Sequence, residues 1–334
     1  MPTLVLPSDR RGLVITNESL YEEEIQTSLT ESAWDGCVFV KTEIVAGDIK
    51  EFSARHAFFF KCYFDLDVVD STFFGTVFSS CDWEGSFLSC DFQNTKIINP
   101  RIDRFVSFHL KFKGCDFRNV DFSKARWQLT KFIECDFRGL IPSTLLGTFQ
   151  EAHLEGCDLR GAMMDGQKFG SDRAGDKSTK NCDFTGASLV LSNFVNVDAE
   201  RSKFDHADMR MIQFEGAKLT HCTLCDSRLN RASLKTSHIH EARFCRADLR
   251  HADLSHAHGD YSNFYGANLA GATFKKAQLV GGDFRGANLE GTRFLEANLR
   301  DTRFEGAVNI DKAHFDNAIT RFSDLEQYRD GGWK

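Results

Sequence analysis

The sequence lacks the long hydrophobic runs of a membrane protein. None of its apolar stretches approaches the roughly 18 residues that a membrane-spanning helix needs. Its first residues, MPTLVLPSDRRGL, also lack the hydrophobic segment of a signal peptide. We therefore expect a cytoplasmic protein without membrane contact, although secretion by a dedicated machine that reads a different signal stays open.

The sequence also lacks the short motifs of the common enzyme classes. It contains no nucleophile elbow, no P-loop, no glycine pattern of a dinucleotide-binding fold and no HExxH zinc motif. Carboxylates are numerous, but a repetitive chain offers no concave site in which they could act together. We expect no enzyme activity, no cofactor and no resident metal.

An excess of positive charge is missing as well. Lys and Arg total 41 against 48 Asp and Glu, which gives a net charge of -7. A modestly acidic chain does not bind nucleic acid nonspecifically over its whole surface. We expect no direct nucleic-acid contact, and the charge is compatible with a protein partner.

What the sequence does contain is a period of five residues. In GANLAGATFKKAQLVGGDFRGANLEGTRF, from residue 266, a Leu or Phe stands at every fifth position, and a small residue stands two places before each. We call the large apolar residue the centre of its repeat. Every fourth centre is predicted to lie on one side of the core, and this side is nearly all Phe: Phe184, Phe204, Leu224, Phe244, Phe264, Phe284 and Phe304.

A period of five fits neither a helix nor a flat strand. A step of five residues rotates by about 140° on an α-helix and spreads the centres around it. In a strand an odd step reverses the face each time. The chain must therefore bend once in every repeat and keep turning the same way, which is the geometry of a solenoid.

The repeat resembles the pentapeptide-repeat family. Its pattern A-(D/N)-L-x-x stands here as Ala207-Asp208-Met209, Ala247-Asp248-Leu249 and Ala287-Asn288-Leu289. The resemblance implies an all-β fold, a right-handed quadrilateral parallel β-helix with four pentapeptides in each coil of about 20 residues. It predicts about 13 coils over residues 37–320.

The phase of the repeat changes along the chain. Interruptions are predicted near residues 75–91, 138–148 and 170–181. One early block of centres ends with Val69 and Phe74, and a short block in another phase follows at Phe78, Trp83 and Leu88. The segment 170–181 is either an outward loop or two degenerate repeats with centres at Ala174 and Thr179. Gly259 is a centre without a side chain, which leaves a hole unless Tyr261, Ile239 or Leu279 fills it.

Both ends are predicted to be caps, because the end of a β-helix is an open edge. Residues 1–36 form the N-terminal cap, in which NESLYEEEIQTSL (17–29) is predicted as a short helix with Asn17 or Ser19 as its N-cap. Residues 321–334 form a C-terminal helical cap that begins at Ser323. The apolar residues of this cap are Leu325, Tyr328 and Trp333. They either cover the last coil or form a dimer contact between two copies of the chain, as the resemblance to the topoisomerase-protecting members of the family implies.

Cysteine and histidine invite a metal interpretation that the repeat weakens. Nine of the 11 Cys occupy the small position two before a centre, where they act as buried hydrophobes in a reducing compartment. Cys222 and Cys225 form an isolated CxxC without a second pair. His238 and His258 are four repeats apart and are expected to stack about 5 Å apart, but only Asp260 is near as a third ligand.

Two functions of different classes remain open. The first is a non-enzymatic scaffold that binds one specific protein as an adaptor, effector or immunity-type protein. Its contacts are expected in loops such as Asp172, Arg173, Asp176 and Lys177. The alternative, implied by the quinolone-resistance members that the chain resembles, is a DNA mimic that binds DNA gyrase or topoisomerase IV. No unbroken acidic row is evident in the sequence, which favours the first function.

Overall fold

The computed structural model divides the chain into two compact units, Met1–Ala162 and Met163–Lys334. The structure describes residues 19–21, 24–25, 31–79, 81–88, 90, 92, 95–98, 111–118, 131–140, 149, 152–170 and 178–320. Every β-pairing among them is parallel. The unit boundary falls inside the range 37–320 that the sequence predicts as one repeat domain. The number of coils stays a prediction.

The first unit is built from parallel strands in two sheets. One sheet has the order β1-β3-β5-β7-β9, and the other has the order β12-β11-β10-β8-β6-β4-β2. Strands that alternate along the first part of the chain therefore belong to different sheets, as expected when a chain winds around a core. The strands are β1 Ser19–Tyr21, β2 Glu24–Ile25, β3 Val38–Val40, β4 Glu43–Lys50, β5 Phe58–Phe60, β6 Tyr63–Val69, β7 Val77–Ser79, β8 Asp82–Leu88, β9 Lys96–Ile98, β10 Lys111–Lys113, β11 Lys131–Ile133 and β12 His153–Glu155.

The N-terminal helix prediction is wrong for the described residues. Ser19–Tyr21 and Glu24–Ile25 are strands, and they pair in parallel with β3 and β4. Leu20 is aligned with Phe39, and Ile25 is aligned with Ile44. Because Leu20 and Ile25 are themselves one repeat apart, the periodicity already begins inside the segment predicted as a cap.

A bulge shortens the coils of the first unit. Glu43 pairs with Tyr63, which lies four full repeats later along the chain. After the irregularity between Val45 and Asp48, each residue pairs with a partner one residue closer in sequence than four repeats, as Ile49 does with Val68. The inward residue therefore moves back by one position. Val68, Phe73 and Phe87 are buried, so the predicted centres Val69, Phe74 and Leu88 are wrong by one residue. In segment 75–91, β7 and β8 continue both sheets with this shortened register.

Stacked phenylalanines fill the first unit. Phe112 stacks on Phe87 and on Phe132 with ring centroids 5.1 and 5.2 Å apart, close to the spacing of neighbouring strands. Phe132 pairs with Leu154, so this coil is two residues longer than four regular repeats. The longer coil accommodates the change of phase in segment 138–148. Residues 141–148 themselves lie outside the described part.

The second unit repeats one local path in every pentapeptide. The residue before each centre forms parallel bridges to the residues four repeats away on either side, as in Asp208 with Ser188 and Arg228. Each side then ends in a turn, in which the N–H three residues after the centre donates to the carbonyl of the centre, as from Ala187 to Phe184 at 2.9 Å. The second residue after each centre has a positive φ from Asn181 to Gly306, as a type II turn requires.

The predicted Phe side lies in the core of the second unit. All seven of its centres from Phe184 to Phe304 are buried. Phe264 stacks between Phe244 and Phe284 at centroid distances of 4.9 and 4.8 Å. At Gly259 an added Cβ would lie 2.7 Å from Cγ1 of Ile239 and 3.1 Å from Cδ2 of Leu279. Ile239 and Leu279 therefore fill the missing centre, and Tyr261 remains exposed.

Two irregular coils of the second unit are defined by their register. Lys168 bridges Asn193, which lies 25 residues later instead of 20, so this coil is five residues longer than the regular ones. Thr179 is buried, while residues 171–177, with Ala174, lie outside the described part, so an outward loop and two degenerate repeats both remain predictions for segment 170–181. Near the end, the 3-10 turn Ile310–Lys312 absorbs one extra residue, so that Phe315 stacks on Phe294 at 5.1 Å.

Candidate interaction surface

The loop and cap residues predicted as contacts lie outside the described residues. These are Asp172, Arg173, Asp176 and Lys177 in segment 171–177, and Leu325, Tyr328 and Trp333 in segment 321–334. Their contacts remain predictions. Across the described ranges, no helix has the length and apolarity that crossing a bilayer requires.

The interior of the described coils leaves little room for a ligand. In the first unit a cavity of about 10 Å³ is lined by apolar residues that include Trp34, Phe52 and Phe73. A space of that size holds about one water molecule at most, and its lining gives a water no polar partner. In the regular repeats the outward side chains are the residue before each centre and the two residues after it.

Arginine and lysine neutralise several aspartates on the sides of the second unit, whereas Asp165, Asp205 and Asp260 accept hydrogen bonds from hydroxyl or backbone N–H groups. Asp248 accepts two hydrogen bonds from the guanidinium group of Arg250, and Asp283 accepts two from that of Arg285. These hydrogen bonds hold the pKa of both carboxyl groups below its usual value. Asp198 lies 3.0 Å from the ammonium group of Lys180 and 3.5 Å from that of Lys218.

The first unit repeats the same pairing as a ladder. Asp116, Asp136 and Asp158 are neighbours in successive bridges, and each is held by the arginine two residues later. Arg118 and Arg138 also reach the aspartate of the next coil at 3.6 Å. Carboxylates that repeat along this side therefore alternate with guanidinium groups.

The locally basic stretch 228–251 does not form a basic face. Its arginines and lysine are distributed over three of the four sides of the coil, because consecutive repeats face different directions. Arg246 pairs with Asp226, and Arg250 pairs with Asp248. The described surface is therefore mixed in charge.

The predicted histidine stack is confirmed. His238 and His258 lie in successive coils with ring centroids 5.2 Å apart, and His240 lies 6.4 Å from His238. Partial burial lowers the pKa of His238, and the neighbouring His258 and His240 lower it further. Among the described residues, which include the whole segment 238–260, no three histidine, cysteine or acidic side chains are placed to hold a metal ion.

An exposed apolar corner is the feature that sequence reasoning missed. Leu191 and Met211 are each the second residue after a centre, and they lie in successive coils because the Leu191 N–H donates to the carbonyl of Arg210. Their exposed fractions are 57% and 45%. Met163 is 54% exposed and bridges Ser188 on the adjoining side. We call these three residues the apolar corner.

The backbone at this corner makes the apolar side chains unfavourable. Leu191 and Met211 have φ values of 60° and 58°. A residue with a Cβ is destabilised by about 1 kcal/mol in this left-handed conformation, and Gly166, Gly271 and Gly291 occupy the same column. The signal was present in the sequence, since most residues at this position of the repeat are Gly or polar.

The corner continues into positive charge. The next residue along the column after Leu191 and Met211 is Arg231, followed by His251, and both are exposed. Arg210 stands directly before Met211 and is held at 2.8 Å from Asp208. An apolar end thus adjoins a basic end along one edge of the second unit.

Comparison with known proteins identifies the repeat. A family model described as pentapeptide repeats matches in 8 copies, at residues 110–140, 180–210, 212–250, 237–275, 247–286, 267–306 and 283–319. Together these segments span half of the chain. No curated protein matches the sequence.

Several solved structures are similar to the chain at low identity. Full-length QnrB1, a plasmid-mediated fluoroquinolone resistance protein, is 16% identical with a TM-score of 0.37, and the match covers 74% of this chain and 96% of QnrB1. HetL, a pentapeptide repeat protein involved in heterocyst differentiation regulation from the cyanobacterium Nostoc, is 16% identical with a TM-score of 0.25. That match covers 94% of this chain and 92% of HetL. Rfr23 from the cyanobacterium Cyanothece is 18% identical with a TM-score of 0.17, covering 50% of this chain and 86% of Rfr23.

Proposed function

The chain belongs to the pentapeptide-repeat family, and on that premise we propose that it is a non-enzymatic scaffold that binds one protein partner. The repeat assigns almost every large side chain to the core, so binding depends on the few outward residues that depart from the pattern. The apolar corner is the observation that carries the proposal.

The corner has the properties of a protein contact. Two of its three exposed apolar side chains, Leu191 and Met211, lie at the same position of successive coils, whereas scattered exposed hydrophobic residues are ordinary and need no explanation. These two residues are retained in a backbone conformation that glycine or asparagine adopts with less strain. The same backbone conformation recurs at this place in every repeat from Asn181 to Gly306, so the apolar side chains, and not the backbone, distinguish this corner.

The charges beside the corner indicate the kind of partner. Arg231 extends the same edge and favours a negatively charged group. We propose that the partner presents an apolar side chain to Leu191 and Met211 and a carboxylate toward Arg231. Electrostatic matching of this kind contributes to specificity and to the rate of association.

A DNA mimic for gyrase or topoisomerase IV is the less favoured alternative. Mimicry of duplex DNA needs carboxylates that repeat along the coils without a counter-charge. Here Asp116, Asp136 and Asp158 repeat along one side, but each is paired with arginine. In the second unit aspartates are paired as well: Asp198, Asp248 and Asp283.

Substitution by asparagine tests the proposal without straining the backbone. Asparagine tolerates a positive φ, so Leu191→Asn with Met211→Asn removes apolar surface and preserves the turn. We expect the immobilised double variant to lose, by at least tenfold, one protein that the wild-type chain captures from a cell extract, as measured by quantitative mass spectrometry.

The matched control is Thr236→Asn, an exposed residue with a φ of 54° on a different corner. It should capture the same protein as the wild type. Equal capture by the double variant and the wild type would overturn the assignment of the corner, and the absence of any protein captured by the wild type would count against the scaffold itself.

A further inference from the structure

Two cysteines stand outside the small inward position that holds the other nine. Cys225 and Cys245 each follow a centre directly, Leu224 and Phe244, and they are separated by four repeats. Four repeats make one coil in this part of the second unit, where Thr223 bridges Arg243. The two cysteines therefore occupy the same place in neighbouring coils.

The backbone register places the two cysteines side by side. The Leu224 N–H donates to the carbonyl of Arg243 at 2.7 Å, and the Asp226 N–H donates to the carbonyl of Cys245 at 2.9 Å. Cys225 lies between these two hydrogen bonds. Neighbouring strands are about 4.8 Å apart, and Cα atoms separated by about 4.4 to 6.8 Å allow a disulfide.

The Cys225 side chain points toward the coil of Cys245. Its Sγ lies 3.8 Å from the carbonyl oxygen of Arg243, two residues before Cys245. Cys245 is near enough for its thiol to raise the pKa of Cys225, in addition to the effect of burial. Both cysteines are free thiols in the structure.

Exposure distinguishes this pair from the other thiols. Cys225 is partly exposed, Cys245 is 7% exposed, and the nine inward cysteines are at most 1% exposed. An inner column also places Cys115 beside Cys135, one coil apart, but both lie in the core. Among the cysteines, all of which the structure describes, only the outer pair offers a sulfur that a dissolved oxidant can reach.

We infer that Cys225 and Cys245 form a modification site, a dithiol that closes to a disulfide across two coils when it meets a low-molecular-weight disulfide. The Cys225 thiolate attacks one sulfur of the oxidant, R–S–S–R, and its own proton goes to solvent. The S–S bond breaks, and one R–S⁻ leaves and takes up a proton. Cys245 then loses its proton and attacks the Cys225 sulfur, which releases the second R–SH. The two cysteines lose two electrons and the oxidant gains two.

The surroundings of the pair make the reaction slow near neutral pH. Burial, together with Cys245 and Asp205, raises the pKa of the Cys225 thiol to about 11. The ion pair of Asp226 with Arg246 stands beside both thiols. Since the thiolate is the nucleophile, the rate of closure should rise about tenfold for each pH unit between pH 7 and 9.

The test uses the folded full-length chain and oxidised glutathione. After reaction, free thiols are alkylated and the digest is analysed by mass spectrometry. We expect a peptide linked through Cys225 and Cys245, with no lasting glutathione adduct in the wild type. In Cys245→Ser the second step is blocked, so Cys225 should retain one glutathione.

The inner pair serves as the control within the same sample. Cys115 and Cys135 should remain alkylatable only after denaturation, whereas Cys225 and Cys245 should be linked before it. The inference is overturned if the folded wild type yields no Cys225–Cys245 link, or if Cys115 and Cys135 become linked to the same extent. The wild-type result is decisive even if the serine variant does not fold.

Discussion

At the scale of single residues, the molecule tolerates a missing centre only because its neighbours compensate. Gly259 stands where the repeat requires a large side chain, and Ile239 and Leu279 occupy the space from the coils on either side. The sequence identified the gap and these two candidates. It could not choose between them and Tyr261, because that choice depends on side-chain packing between coils.

Filling the Gly259 position should therefore destabilise the second unit. We predict that Gly259→Leu lowers the free energy of unfolding by roughly 1 to 3 kcal/mol, because the new side chain collides with Ile239. Combining Gly259→Leu with Ile239→Ala should restore much of the lost free energy of unfolding, because the smaller side chain makes room for the new leucine. Denaturant-induced unfolding measures both variants, and an additive loss in the double variant would show that the two residues do not share one space.

The aspartate–arginine pairs should make the free energy of unfolding depend on pH in the acidic range. Hydrogen bonds from Arg285 lower the pKa of Asp283 in the folded chain. A carboxyl group whose pKa falls on folding stabilises the protein above its unfolded value of about 4, and this contribution is lost as pH falls through the folded pKa. Asp283→Asn should lower the free energy of unfolding by about 1 kcal/mol at pH 7.

The difference between Asp283→Asn and the wild type should shrink as the pH is lowered from 4 to 2. Unfolding curves at several pH values check this dependence. If the difference in the free energy of unfolding stays constant over that range, the negative charge of the carboxylate does not contribute to stability.

At the scale of the repeat, the aromatic stack is the main stabilising element on one side of the core. Phe264 contacts the rings of Phe244 and Phe284 above and below. We predict that Phe264→Ala lowers the free energy of unfolding by about 3 to 5 kcal/mol. Phe264→Leu should cost only about 1 kcal/mol, since Leu224 already serves as a centre on this side. Denaturant-induced unfolding compares the two variants, and equal losses would contradict a contribution from packing volume.

Sequence periodicity predicted this element better than it predicted the boundaries of the repeat. A period of five identifies inward positions wherever each coil holds four pentapeptides, as it does from Ser178 to Asn298. It fails by one residue after the bulge at Val45 and Asp48, where only strand pairing reveals the shorter coil. It also missed the strands at Leu20 and Ile25, because acidic residues at 22–24 resembled the first turn of a helix.

At the scale of the whole molecule, most residues follow the repeat and build the scaffold, so we expect function to depend on the residues that depart from it. Leu191 and Met211 could have been found in the sequence as apolar residues at a turn position, and Cys225 and Cys245 as a pair one coil apart. What the sequence could not show is which aspartates are neutralised. That depends on arginines that reach their partner within one coil, as at Asp248, or between coils, as from Arg246 to Asp226.

The most direct test of a partner-binding scaffold with paired charges is inhibition of DNA gyrase supercoiling by the purified chain. Because its described acidic rows are interrupted by arginine and lysine, we predict no inhibition even at a large molar excess over the enzyme. Inhibition at micromolar or lower concentration, abolished when Asp116, Asp136 and Asp158 are replaced together by asparagine, would contradict the account and establish the DNA mimic instead.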